Sequence, residues 1–183
     1  MTDCAPCRPA SETNAGGTSE PGEANPDAVA AGAVSGDETA RDRPATRRNT
    51  YVRHVRFADC DPARIVFYPR FFELFDRATE ELFHSVGFYW DKEFGANGLN
   101  GLPLVDASAR FLSPAWFGDT LEIESWIDEW KGKVFVVEHR VRAGEREIAE
   151  GREVRVWAMD APDRPSGIRA VPMPDEIRAR FEQ

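Results

Sequence analysis

Apolar positions recur in two rhythms along the chain. Phe71, Leu74, Phe75, Ala78, Leu82 and Val86 return every three or four residues, which predicts one helix face, with Pro69 near the first turn and Gly87 at the end. Downstream the rhythm becomes alternation. Val105, Ala107, Ala109 and Phe111 make one strand pattern, Leu121, Ile123, Ser125 and Ile127 a second, and Phe135, Val137, His139 and Val141 a third; residues 148–159 predict a long fourth. Residues 51–57 predict a short strand before the helix, and residues 174–182 a short terminal helix. Arg142-Ala143-Gly144-Glu145 has hairpin-turn chemistry. One strand, one long helix and four consecutive strands predict an α+β fold in which an antiparallel sheet carries the helix on one face. Such a sheet leaves a face and two edges open, and oligomerisation is the usual way to cover them.

Two stretches break the rhythm. Residues 59–69 read as a loop with an apolar middle, and residues 88–101 as a mobile loop rich in Gly and Asn. The spacing Gly95-x-x-Gly98-x-x-Gly101 follows no strand, so it is not a dinucleotide fingerprint. Residues 1–50 contain no aromatic residue and, apart from Met1, only Val29 and Val34 as larger aliphatics. Such a segment buries too little apolar area to offset its ordering entropy, which predicts a disordered tail and a folded domain over residues 51–183.

Composition narrows the classes of function. The net charge is −9; the first 50 residues hold five arginines against eight acids, or −3, which leaves −6 for the domain. That balance argues against nucleic acid as a partner and restricts any anionic ligand to a local basic patch. No apolar stretch is long enough to span a bilayer and no basic-then-apolar leader opens the chain, so the expectation is a soluble, cytoplasmic protein. Cys4, Cys7 and Cys60 are too few and too scattered for a disulfide framework, and no metal-ligand spacing occurs in the domain. Neither a metal nor another cofactor is expected.

Candidate chemistry concentrates before the helix. Asp59 and Asp61 stand two apart, just upstream of a helix start whose free N–H groups could polarise a carbonyl oxygen. A carboxylate near that carbonyl could attack it or draw a proton from water. Asp-x-Asp-Pro is equally good turn chemistry, and the residues alone favour the turn. Flanking carboxylates should raise the Cys60 thiol and blunt it as a nucleophile. Histidines 54, 84 and 139 lie on separate elements and there is no G-x-S-x-G elbow, which argues against a serine hydrolase. Lys131-Gly132-Lys133 is a basic turn between two strands, ordinary for solvated surface, yet also the kind of patch an anionic ligand requires.

Asp59-Cys60-Asp61-Pro62-Ala63, then Ile65-Val66-Phe67-Tyr68-Pro69 and an aromatic-rich helix with Asp76, resemble the signature of the 4-hydroxybenzoyl-CoA thioesterase family of hotdog proteins. The likeness continues through Gly101-Leu102-Pro103-Leu104, Trp130-Lys131-Gly132-Lys133-Val134-Phe135 and Val154-Arg155-Val156-Trp157-Ala158-Met159. It implies a hotdog fold, with a long central helix wrapped by a five-stranded antiparallel sheet. It also implies a homodimer or homotetramer with the site at the dimer interface, and acyl-CoA as substrate. The resemblance makes Asp61 the catalytic carboxylate and the backbone N–H of Tyr68 the oxyanion donor. Leu102, Pro103 and Leu104 would lie along the ligand, and Lys131, Gly132 and Lys133 would meet the CoA nucleotide or its phosphates. The implied reaction is hydrolysis of an aromatic acyl-CoA of benzoyl or hydroxybenzoyl type. Short aliphatic or carrier-bound acyl chains, and a non-catalytic acyl-thioester binder, are the alternatives. One position departs from the pattern: Arg64 stands where the family's aromatic-acyl members often have glycine.

Overall fold

The computed structural model describes residues 46–182. Most of the segment expected to be disordered, with the Cys4 and Cys7 pair, lies outside the described residues. The first strand nevertheless reaches into that segment: β1 spans Arg48–His54 and pairs antiparallel with β4 (Thr120–Lys131). Its polar start is held by backbone pairing and by Arg48, whose guanidinium lies 4.1 Å from the Trp126 ring centroid and 3.0 Å from Glu124. Apolar content underestimates such a strand, because the sheet satisfies its backbone without needing its side chains in the core.

Helix α1 (Pro69–His84) follows the expected periodicity and buries Phe71, Phe75, Ala78, Thr79, Leu82 and Phe83. Four strands expected from alternation appear as β3 (Leu104–Phe111), β4, β5 (Val134–Ala143) and β6 (Arg146–Asp160). Both hairpins that join β4 to β5 and β5 to β6 turn through two residues and place glycine first, Gly132 at φ 58° and Gly144 at φ 60°.

Among the described residues the sheet has seven strands, not five. Two short strands, β2 (Leu99–Gly101) and β7 (Ile168–Val171), flank the far end of β6 and pair with residues 158–159 and 157–160 of it. They hide in Gly-, Asn- and Pro-rich sequence, too short to show alternation. The stretch expected to be only a loop also contains a single-turn helix, α2 (Trp90–Glu93). A further short helix, α3 (Asp175–Arg178), continues into a 3₁₀ turn. Among the described residues the α-helices are thus one of 16 residues and two of four.

The sheet order is β1-β4-β5-β6-β2, with β3 and β7 also on β6. Helix α1 lies against the middle of this sheet. The Phe75 ring stacks on His139 of β5 at 4.8 Å and crosses β6 at Gly151, where a Cβ would fall 2.4 Å from the ring. Two apolar clusters follow. One gathers Val55, Val66, Phe71, Phe75, Leu121, Ile123 and Val141 near the helix start. The other gathers Phe83, Phe88, Phe135, Trp157 and Phe181 near its end. No helix among the described residues is long and apolar enough to cross a membrane.

Candidate active site

The segment between β1 and α1 folds into a small hairpin. The Phe67 N–H donates to the Asp59 carbonyl and the Asp61 N–H to the Ile65 carbonyl, each at 2.9 Å. Its tip turns from Asp61 to Arg64: the Arg64 N–H donates to the Asp61 carbonyl at 2.9 Å, and the Ala63 N–H to Asp61 Oδ1 at 2.8 Å. The Asp-x-Asp-Pro sequence therefore is turn chemistry. It also fixes the Asp61 carboxylate by one oxygen through the backbone.

Arg64 explains its own oddity. Its φ is 64°, the left-handed conformation that closes a three-residue hairpin loop. Glycine adopts it freely, whereas a residue with a Cβ is disfavoured by roughly 1 kcal/mol or more. The glycine expected there answers a backbone demand that this chain meets with arginine.

The hairpin leads directly into α1. Tyr68 occupies the N-cap position, Pro69 supplies no N–H, and the next two N–H groups donate to the Phe67 and Tyr68 carbonyls. The Tyr68 N–H takes no backbone acceptor among the described residues. Asp61 and Tyr68 border one cavity of ≈ 450 Å³, walled by Ile65, Val66, Phe67, Phe71, Phe111 and Leu112 among others. Asp61 and the helix-start residue Tyr68 thus border a mainly apolar space, and a low-dielectric space is where a carboxylate and a backbone donor act most strongly on a carbonyl.

Cys60 is set apart from this chemistry. Burial, then the charges of Asp59 and Asp61, push its thiol above the ordinary value, and Sγ donates to the Arg56 carbonyl at 3.6 Å. The expected direction holds, with desolvation as the larger cause.

The remaining candidates lie elsewhere. Leu104 pairs with Arg155, Arg155 with Phe135, and Phe135 with Trp130, so residues 102–104 and the Lys131-Gly132-Lys133 turn share one end of the sheet. The cavity sits at the other, on the rung where Phe111 faces Ala149 and Ala149 faces Val141. Along β6 the two rungs are six residues apart, about 20 Å at ~3.3 Å per residue. Within one chain the structure brings Asp61 to Tyr68 and brings 102–104 to 131–133, but does not unite the two groups. Lys131 is paired with Glu129 in its turn.

The sequence profile of the thioesterase-like superfamily matches residues 55–181. The chain belongs to the thioesterase-like superfamily. As a member it is a thioester hydrolase. It is 34% identical over 134 residues to the 4-hydroxybenzoyl-CoA thioesterase of Pseudomonas sp. strain CBS-3, covering 70% of this chain and 93% of that enzyme. The crystal structure of a mutant 4-hydroxybenzoyl-CoA thioesterase complexed with 4-hydroxybenzoyl-CoA superposes with a TM-score of 0.67 at 32% identity. That match covers 74% of this chain and 99% of the other. A gentisyl-coenzyme A thioesterase superposes at a TM-score of 0.63 and 33% identity, over 73% and 99%.

This thioesterase-like chain also holds a buried polar group that the sequence pattern did not single out. The Arg155 guanidinium donates to Glu153 through Nε at 3.0 Å and Nη2 at 2.9 Å, to Asp76 Oδ1 at 2.6 Å and to the Leu102 carbonyl at 3.1 Å. Thr79 Oγ1 donates to Glu153 Oε2 at 2.7 Å. Burial works to raise the Glu153 carboxyl, but its hydrogen bonds and the Arg155 charge outweigh it and hold the group down to about 2. Burial keeps His139 neutral, so its 3.4 Å approach to Glu153 is that of an uncharged ring, with Ser125 Oγ on the far nitrogen at 2.8 Å. The signal for this network was present: Glu153 and Arg155, two apart in a strand, face the same side as the apolar positions of β6.

Proposed function

We propose that the chain hydrolyses an aromatic acyl-CoA, of benzoyl or hydroxybenzoyl type, to the free acid and CoA. The observation that carries the reading is the cavity that Asp61 and Tyr68 both border, with no backbone acceptor on the Tyr68 N–H among the described residues. In it the N–H holds the thioester oxygen as charge develops, while Asp61 acts on the carbonyl carbon. As general base, Asp61 takes a proton from water; the hydroxide adds to the carbonyl, the C–S bond breaks, and the CoA thiolate leaves with a proton. As nucleophile, Asp61 forms a mixed anhydride that water then cleaves. The apolar, aromatic walls suit an aryl group, and two thioesterases that the chain resembles are named for hydroxyaryl-CoA substrates.

The separation of the two groups of residues supports a site built from two copies. Among the described residues strand β3 pairs only with β6, and its Leu104, Val105 and Phe111 are exposed along with Leu112. Antiparallel pairing of two β3 edges about a two-fold axis carries the Phe111 end of one chain to the Leu104 end of its partner. Asp61 and Tyr68 of one chain would then work with residues 102–104 and the basic turn of the other, in a dimer or in a tetramer made of two such dimers, in the cytoplasm.

A hydrolysis panel of benzoyl-, hydroxybenzoyl-, phenylacetyl- and short aliphatic-CoA tests the substrate; preference for the aliphatic thioesters overturns the aromatic assignment. Mixing inactive Asp61→Asn chains with inactive Lys131→Ala/Lys133→Ala chains tests the shared site. Random pairing restores about a quarter of the wild-type sites if each site draws on two copies, and none if each is complete within one.

A further inference from the structure

Arg64 does not open onto the Asp61 cavity. It borders a separate cleft of ≈ 260 Å³ with Phe57, Cys60 and Phe117. Phe57 and Phe117 meet edge to face at 6.2 Å and stand 79% and 58% exposed. Two phenyl groups held in contact in water, beside an arginine in a conformation that disfavours it, are unusual company. Arg64 enters no ion pair among the described residues, although Asp59 and Asp61 lie in the same hairpin.

We propose that this cleft binds an aromatic carboxylate, its ring against Phe57 and Phe117 and its carboxylate on the Arg64 guanidinium. The volume decides the size: it falls below the roughly 300 Å³ at which sites for drug-sized ligands begin, so a single ring fits where a nucleotide does not. The charge decides the valence, since one unpaired cation matches one carboxylate, whereas a phosphate dianion calls for several. Edge-to-face phenyl groups offer a third ring both faces and edges. The class is that of the acid released by the reaction proposed above, on which the choice of ligand rests. The backbone ties the two places together, because the Arg64 N–H closes the turn on the Asp61 carbonyl.

The test is calorimetric titration of the full-length chain with benzoate, without substrate. Benzoate should bind, and should bind equally to Asp61→Asn. Arg64→Gly, whose new residue suits the left-handed turn and so preserves the fold, should weaken binding at least ~10-fold, the scale of a hydrogen bond to a charge. Benzamide and acetate should each bind at least ~10-fold more weakly than benzoate, for want of charge and ring respectively. Unchanged benzoate binding by Arg64→Gly at an unchanged or raised melting temperature overturns the proposal, as does loss of binding in Asp61→Asn. A fall in particle mass by light scattering on Arg64→Gly or Phe57→Ser makes the cleft a contact between copies and overturns it as well. A chain that binds benzoate through Arg64 yet hydrolyses no aryl-CoA defeats the functional reading and leaves the cleft standing.

Discussion

Asp61 and Glu153 are both carboxylates close to helix α1, and their partners separate them. Glu153 is buried, with one oxygen taken by Arg155 and the other by Arg155 and Thr79. Asp61 is anchored through one oxygen, by a single backbone N–H, at the lip of a cavity. A buried carboxylate with both oxygens engaged is an element of the fold. One held by its own turn is oriented yet available, which is what chemistry on a carbonyl asks of it. The stronger network is therefore the one less suited to the role proposed for Asp61.

The contrast is easiest to break at the buried end. Arg155→Met leaves Glu153 buried without its cation, and stability should fall by about 3–5 kcal/mol; denaturant melts measure it, and a loss under 1 kcal/mol would contradict the role given to the network. Asp61→Asn should do the opposite, lowering kcat at least ~10²-fold while the melting temperature stays near wild type. Gly151→Ala probes the packing between the two, since a methyl group there meets the Phe75 ring; overpacking of this kind costs about 1–3 kcal/mol.

The smallest effects concern pH. Glu153 is held below its ordinary 4.5, so its contribution is complete above that value and is lost as pH falls toward 2. His139, pushed down from 6.5 by burial, acts in the same direction: below 6.5 the unfolded chain takes up a proton that the folded chain refuses. Glu138 opposes both. Burial, then the charge of Asp128, push it up to about 7, so the folded chain keeps a proton that the unfolded chain releases between 4.5 and 7, and stability declines as pH rises through that window. Glu138→Gln should therefore gain stability at pH 8 relative to pH 4.5, by no more than about 1 kcal/mol once screening by water is allowed for. Melts of both proteins at the two pH values decide it.

Periodicity exposed α1 and the four long strands because each is amphipathic over several turns or pleats, and burial of one face dictates the pattern. It missed β2 and β7, whose few residues owe their strand state to the long neighbour β6. Residues 46–50 fell to the same blind spot, joined to the fold by backbone pairing from Arg48 onward and by the Thr46 hydroxyl on the Ile127 carbonyl at 2.8 Å. Of the candidate site, the turn at Asp61 ahead of the helix was legible because turn, carboxylate and helix start are contiguous; that the loop folds back as a hairpin was not. The distance of residues 102–104 and 131–133 from it was not, since strand length and pairing direction, rather than any motif, set that distance.

The sequence by itself thus determined which residues face the core, where the chain turns, and that a carboxylate stands just ahead of a helix N-terminus, all consequences of local spacing. Tertiary structure alone decided that Asp61 and Tyr68 share a cavity, that Arg64 opens onto another, and that Glu153, Arg155, Asp76 and Leu102 meet. Those contacts join positions as far apart as 79 residues, and only the pairing of strands and the seat of α1 on the sheet bring them within hydrogen-bond reach.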